Sequence, residues 1–195
     1  PLAHDAGSGG HVHISLYDSH GNNLIGGTDG VLTEFGQHFI AGVAAFTPEL
    51  TLLHAPYINS YRRLVPGSYT PLLANWGHDN RTTMIRVVVA SSGTRFELRL
   101  PGADANPYLS YAGLIAAGLA GVEAGTPLIA ETRHVDHSNG VAIPGDLGEA
   151  IAAFSHSMVA EKAFTREVQD HILTHARHEL NASRRVVSTW EVKRG

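Results

Sequence analysis

The stretch RFELRL, residues 95–100, alternates charged and apolar side chains without a break. An extended strand turns such a pattern into two chemically distinct faces, because successive side chains point to opposite sides. Phe96, Leu98 and Leu100 then form a dry face, while Arg95, Glu97 and Arg99 share the other. HVHISL, residues 11–16, repeats the arrangement behind the glycine-rich stretch AGSGG. Val12, Ile14 and Leu16 lie on one side, and His11, His13 and Ser15 on the other. The apolar faces belong to a core. The polar faces are either solvated surface or the wall of a site.

The rest of the chain reads as strands followed by helices. SHGNN (19–23) is a turn signal with a hairpin partner at Leu24 and Ile25. Apolar spacing predicts a helix over 33–46 capped by Thr33, and Pro48 is expected to open a second short helix to His54. Residues 56–71, rich in Pro, Gly and Ser, read as a long loop of the kind that carries function. Strands are expected at 72–76, 83–90 and 94–100. A helix follows from Pro107, with Asn106 as N-cap and Gly125 as stop; its Leu/Ala/Gly stripe over 109–122 is expected to be core. Asp146 with Glu149 forms a capping box, and a last helix is expected from Thr165 towards Lys193. The sum is an α+β fold, an antiparallel curved sheet with segregated helices, strand-rich over 1–105 and helical over 106–195.

Composition removes several classes of function. No cysteine is present, which excludes disulfides, thiolate metal sites and cysteine nucleophiles. With 43% hydrophobic and 16% charged residues the chain is neither disordered nor membrane-like, and a cytoplasmic location with no membrane partner is expected. The chain starts at Pro1 directly before a motif-bearing loop, and we read it as a segment of a longer polypeptide.

The net charge of −4 conceals a basic patch. Arg62, Arg63, Arg81, Arg86, Arg95 and Arg99 fall within 62–99, where Asp79 and Glu97 are the only acids. Arginine in place of lysine suits forked recognition of carboxylates or phosphates. A nucleic-acid surface is not expected, since the rest of the chain is acidic and no aromatic residues interleave with the arginines. Glu97 with His11 on a neighbouring strand suits a hard divalent cation, with arginines for the anions it carries. His171, His175 and His178 read as a solvated helix face, and a site at His134, Asp136 and His137 is disfavoured.

Four motifs carry a family resemblance: AGSGGHVHISL, NSYRRLVPG, NWGHDNRTTMIRV and RFELRLPGADANPYLSYAGLIAAGLAGVE. In this order they resemble the signatures of the C-terminal catalytic domain of glutamine synthetases. The resemblance implies an ATP-dependent ligase that phosphorylates the γ-carboxylate of glutamate and then joins an amine, with Mg2+ or Mn2+. It implies His11 and Glu97 as metal ligands; His13, Ser15, Arg81, Arg86 and Arg95 at the nucleotide; and Gly7, Arg63 and Arg99 at glutamate. Arg63, Arg81 and Arg99 take the catalytic roles. It further implies a homo-oligomeric ring with sites at subunit interfaces. The N-terminal domain and upstream metal-binding glutamates of the family are expected to lie outside this segment, which alone is expected to be inactive.

Two positions depart from the family pattern. Tyr69, in PGSYTP, aligns where ordinary glutamine synthetases carry a glutamate that closes the site and helps deprotonate ammonium. A phenol, with an ordinary pKa of about 10, is a poor base at neutral pH. Ala6 stands where many members have Asn. The wording is more similar to relatives that join glutamate to polyamines or ethanolamine. A true glutamine synthetase using ammonia and a non-catalytic structural relative are the alternatives.

Overall fold

The computed structural model describes residues 7–91, 93–134 and 139–194. Ala6, Asp136 and His137 lie outside them. The chain runs through β1 (Val12–Ile14), α1 (Glu34–His54), a 3-10 helix (Ile58–Arg63), β2 (Leu73–Ala74), β3 (Trp76–His78), β4 (Ile85–Ala90) and β5 (Gly93–Leu98). It continues with α2 (Pro107–Ala124), β6 (Val141–Ala142), α3 (Leu147–Ser155), α4 (Met158–Ser183) and α5 (Thr189–Val192). No described helix is long and apolar enough to cross a membrane.

Four strands form one sheet in the order β1-β5-β4-β3. β1 and β4 flank β5 antiparallel, and β3 lies parallel to β4 at the far edge. The register sorts side chains as the alternation predicts. Ile85, Val87, Phe96 and Leu98 are wholly buried on one face, where Phe39 of α1 stands 5.9 Å from Phe96. Val12 and Ile14 pair with Leu98 and Phe96 and extend that face. On the opposite face His13, Glu97 and Arg86 stand directly across from one another on three strands. Glycine lets the helices behind the sheet meet backbone to backbone. A Cβ on Gly42 of α1 would lie 2.6 Å from the Gly121 Cα of α2, and one on Gly121 would lie 2.4 Å from the Gly42 Cα.

Local chemistry explains most boundaries. The Thr33 hydroxyl accepts from the Gly36 N–H and starts α1; Asn106 accepts from the Tyr108 N–H at 3.0 Å and starts α2. Gly125, left-handed at φ 58°, ends α2. Several expectations are corrected. Pro48 does not open a new helix, because α1 runs through it unbroken to His54. The expected strand 72–76 is two strands separated by Asn75, whose buried side-chain oxygen accepts from the Met84 N–H at 3.0 Å. The partner expected at Leu24 and Ile25 reduces to an isolated bridge, Tyr17 with Asn23, and a Leu24 N–H bond to the Leu16 carbonyl. Asp146 caps α3, but Glu149 reaches back to the Gly145 N–H and not to Asp146. The last helical stretch begins at the expected place, the non-helical Thr165 (φ 65°), but it continues a first segment that starts at Met158 under a Ser157 cap. It ends at Ser183, not near Lys193, and is followed by the short α5. The stripe over 109–122 is core on one side only: Gly113, Leu114, Ala117 and Gly118 are buried, whereas Ile115 and Leu119 are exposed.

Candidate active site

Glu97 is the centre of the polar face. It lies on β5 between two other strands and is 3% exposed. Burial of a carboxylate is tolerable only when its charge is matched and its oxygens are bonded. Four cationic or ionisable partners do this. Arg99 NH1 donates to Oε1 at 2.9 Å, and Arg86 NH1 donates to Oε2 at 3.2 Å. His11 Nδ1 lies 2.7 Å and His13 Nε2 3.8 Å from Oε1. Burial alone would raise the Glu97 carboxyl; Arg99, Arg86 and the histidines outweigh it and hold the group below its ordinary value. The same crowding acts on His11, which burial and then Arg99 push down despite Glu97. His11 therefore favours the neutral imidazole, the form that ligates metals.

The glycine-rich segment places His11. Gly9 bridges to Gly102, the Gly10 N–H donates to the Pro101 carbonyl at 2.8 Å, and the Ala103 N–H donates to the Ser8 carbonyl at 3.1 Å. A side chain at Gly9 would come within 2.9 Å of His11 Nε2, so glycine leaves that ring nitrogen room. The same segment sets Gly7 against Arg63, where a Cβ would lie 2.7 Å from the Arg63 Cβ. Arg63 follows from the 3-10 helix and donates through NH2 to the Leu100 carbonyl. Burial lowers its affinity for the proton, partly offset by Asp104.

The structure thus brings together His11, His13, Glu97, Arg86, Arg95 and Arg99, with Arg95 Nε donating to His13 Nδ1 at 3.5 Å. Tyr69 joins through its backbone, its carbonyl accepting from Arg99 NH2 at 3.4 Å, while its side chain is 72% exposed. Gly7 and Arg63 adjoin one another. Arg81 lies exposed in the turn after β3, and Ser15 is exposed just beyond β1; neither touches Glu97. Asp79 is the site residue that the motifs did not single out: it binds Arg86 across the β3–β4 pair. A spacing of seven residues carried no signal for that pairing, because it depends on two adjacent strands running parallel.

Two features describe what the face can do. Arg63 Nε and Arg99 Nε are buried without a hydrogen-bond partner among the described residues. Such donors are costly unless an acceptor arrives. His11 and Glu97 supply one nitrogen and one oxygen donor. No group of three or more His, Cys, Asp or Glu side chains among the described residues is arranged for a metal. One imidazole and one carboxylate suit a hard divalent cation in part, and the pair would hold one only with further ligands from outside these residues. A hollow of about 640 Å³ lies elsewhere, lined by Val31, Trp76, His78, Val89 and Ile129 among others, and includes none of these groups.

Comparison with known proteins agrees with the motifs. The family model described as the glutamine synthetase catalytic domain matches residues 1–195. The chain is 42% identical over 197 residues to the gamma-glutamylethanolamide synthetase of Streptomyces coelicolor, covering 96% of this chain and 41% of that protein. It is 35% identical over 206 residues to the glutamine synthetase of Halobacterium salinarum, covering 100% of this chain and 45% of that one. A solved structure of GmaS in complex with ADP superposes with a TM-score of 0.88 at 29% identity, over 98% of this chain and 46% of that chain. The chain spans less than half the length of each.

Proposed function

Because this chain belongs to the glutamine synthetase family, we propose that the full-length protein carrying it is an ATP-dependent ligase that joins glutamate to an amine larger than ammonia. The observation that carries the reading is the pair of arginines, buried Arg99 and partly buried Arg63, whose Nε atoms are buried without a hydrogen-bond partner among the described residues. A buried guanidinium N–H left without an acceptor suits a carboxylate or phosphate oxygen.

In this reading a γ-carboxylate oxygen of glutamate attacks the terminal phosphorus of ATP and ADP departs. The amine nitrogen then attacks the acyl phosphate carbon, inorganic phosphate leaves, and the nitrogen loses a proton. Arg63 and Arg99, with Gly7 leaving room beside Arg63, bind glutamate. Arg86 and Arg95 neutralise phosphoryl oxygens, a charge problem more than a covalent one. His13, Ser15 and Arg81 contact nucleotide. His11 and Glu97 would hold a divalent cation, which supplies further neutralisation of the phosphates when bound. Tyr69 replaces a carboxylate with an exposed phenol on the loop tied to Arg99, which supports an acceptor with its own apolar or hydroxylated body. The higher identity to an ethanolamide-forming relative than to a glutamine synthetase supports the same choice.

The test follows phosphate release by the full-length protein with ATP and glutamate, offering ammonium, ethanolamine, putrescine and spermidine separately. Turnover with a larger amine and little with ammonium is expected. Turnover with ammonium alone would overturn the acceptor assignment. ATP binding without turnover on any amine would make the protein a non-catalytic relative.

A further inference from the structure

Arg86 commits three of its five guanidinium N–H donors, and its forked Nε/NH2 edge is taken by Asp79. Its Nε donates to Asp79 Oδ1 at 2.9 Å, NH2 donates to the same oxygen, and NH1 donates to Glu97 Oε2 at 3.2 Å. An incoming anion can take the forked Nε/NH2 edge of Arg86 in two-point fashion only if the carboxylate there lets go. Glu97 is poorly placed to do so. It is buried on an internal strand and shared with Arg99 and His11. Asp79 differs in each respect. It sits on the turn after β3, its side chain is 78% exposed, and Arg86 is its one side-chain partner among the described residues. Its backbone is fixed separately, with the N–H donating to the Val87 carbonyl at 2.8 Å, so the side chain can rotate away without unpairing the turn.

We propose that Asp79 is a positioning residue that acts as a placeholder, its carboxylate occupying Arg86 until the phosphoryl oxygens of a polyanionic substrate displace it. This rests on the reading of Arg86 as a phosphate contact. The reason for a placeholder is electrostatic. Arg86, Arg95 and Arg99 share one sheet face with Glu97, the sole buried acid among the described residues, and Asp79 offsets the surplus while no anion is bound. With its carboxylate in solvent the pair is screened on the Asp79 side and can yield, whereas a pyrophosphate group brings more charge and more oxygens to the same fork. The Asp79 backbone is left-handed at φ 47°, a conformation that Asn also adopts readily, so Asp79→Asn removes the charge without straining the turn.

The experiment titrates inorganic pyrophosphate into the full-length protein by calorimetry, using wild type, Asp79→Asn, Asp79→Ser, Arg86→Gln and the double variant Asp79→Asn/Arg86→Gln. Asp79→Asn and Asp79→Ser are expected to bind pyrophosphate about 2- to 5-fold tighter than wild type, Asp79→Asn with an unchanged melting temperature and Asp79→Ser with a lower one from its left-handed backbone. In the Arg86→Gln background Asp79→Asn is expected to change nothing. Equal or weaker binding by both single Asp79 variants would overturn the proposal. So would a gain that persists without Arg86, since that is general charge removal, and so would absence of pyrophosphate binding in wild type. The ligase reading fails by a different result, absence of amine-dependent phosphate release, which leaves this pattern intact.

Discussion

At the scale of single residues, charge matching around Glu97 governs both integrity and chemistry. Replacing it by glutamine leaves buried Arg99 and half-buried Arg86 without their common counter-ion. Removing one partner of a buried pair costs about 3 kcal/mol. Glu97→Gln is therefore expected to lower the urea midpoint by that equivalent, and adding Arg99→Met is expected to recover part of the loss. His54 makes a second prediction. It is wholly buried at the end of α1, with Nδ1 2.8 Å from Ser110 Oγ and Nε2 without a partner. Burial first, and then the Arg63 charge, lower its pKa from 6.5 to about 4. The folded value lies below the unfolded one, so the unfolded chain takes up the proton first. Stability is complete above about pH 6.5 and falls as pH drops towards 4, by about 3 kcal/mol over the interval. Urea titrations across this range are expected to show the fall in wild type and a flatter profile in His54→Asn. The site was largely legible here, because His11, His13, Arg95, Glu97 and Arg99 declare their shared face by alternation alone. Asp79 was not, nor was the buried state of His54, since both depend on neighbours distant in sequence.

At the scale of elements, strand alternation and capping residues located most of the fold, and the misses have physical causes. Pro48 was expected to start a helix because its ring suits the first turn. It lies instead inside α1, where packing of Leu50, Leu52 and Leu53 holds the helix through the missing N–H. Thr165 was expected to start the last helix; its non-helical backbone does mark a break there, but the capping hydroxyl belongs to Ser157. The α1–α2 crossing offers the sharpest test at this scale. Any side chain on Gly42 or Gly121 meets backbone that cannot swing aside. Gly42→Ala and Gly121→Ala are each expected to cost about 1–3 kcal/mol in thermal or urea unfolding, and Gly125→Ala to act differently. Gly125 has open space around its Cβ position but a left-handed backbone, so its cost is conformational.

At the scale of the whole molecule, the sheet joins residues far apart in the chain. The edge strand β1 pairs with β5 over just three residues, His13 opposite Glu97, whereas β4 and β5 pair over six. His13 is therefore held by a three-residue ladder, as short as the β3–β4 pairing at the opposite edge, and His11 lies just before it. Segments with few backbone bonds open locally at low free-energy cost, well before the protein unfolds. Amide hydrogen exchange is expected to be faster at Val12–Ile14 than at Ile85–Ala90, and slowed selectively at β1 by any ligand that engages His11 or His13. Arg86 and Glu97 stand on the strands that pair over six residues, and the imidazoles on a briefly paired edge. Under the proposed function, breathing of that edge would separate His11 from Glu97 while Arg86 and Arg99 remain in place, so a cation held by that pair would exchange on a faster clock than the frame that surrounds it.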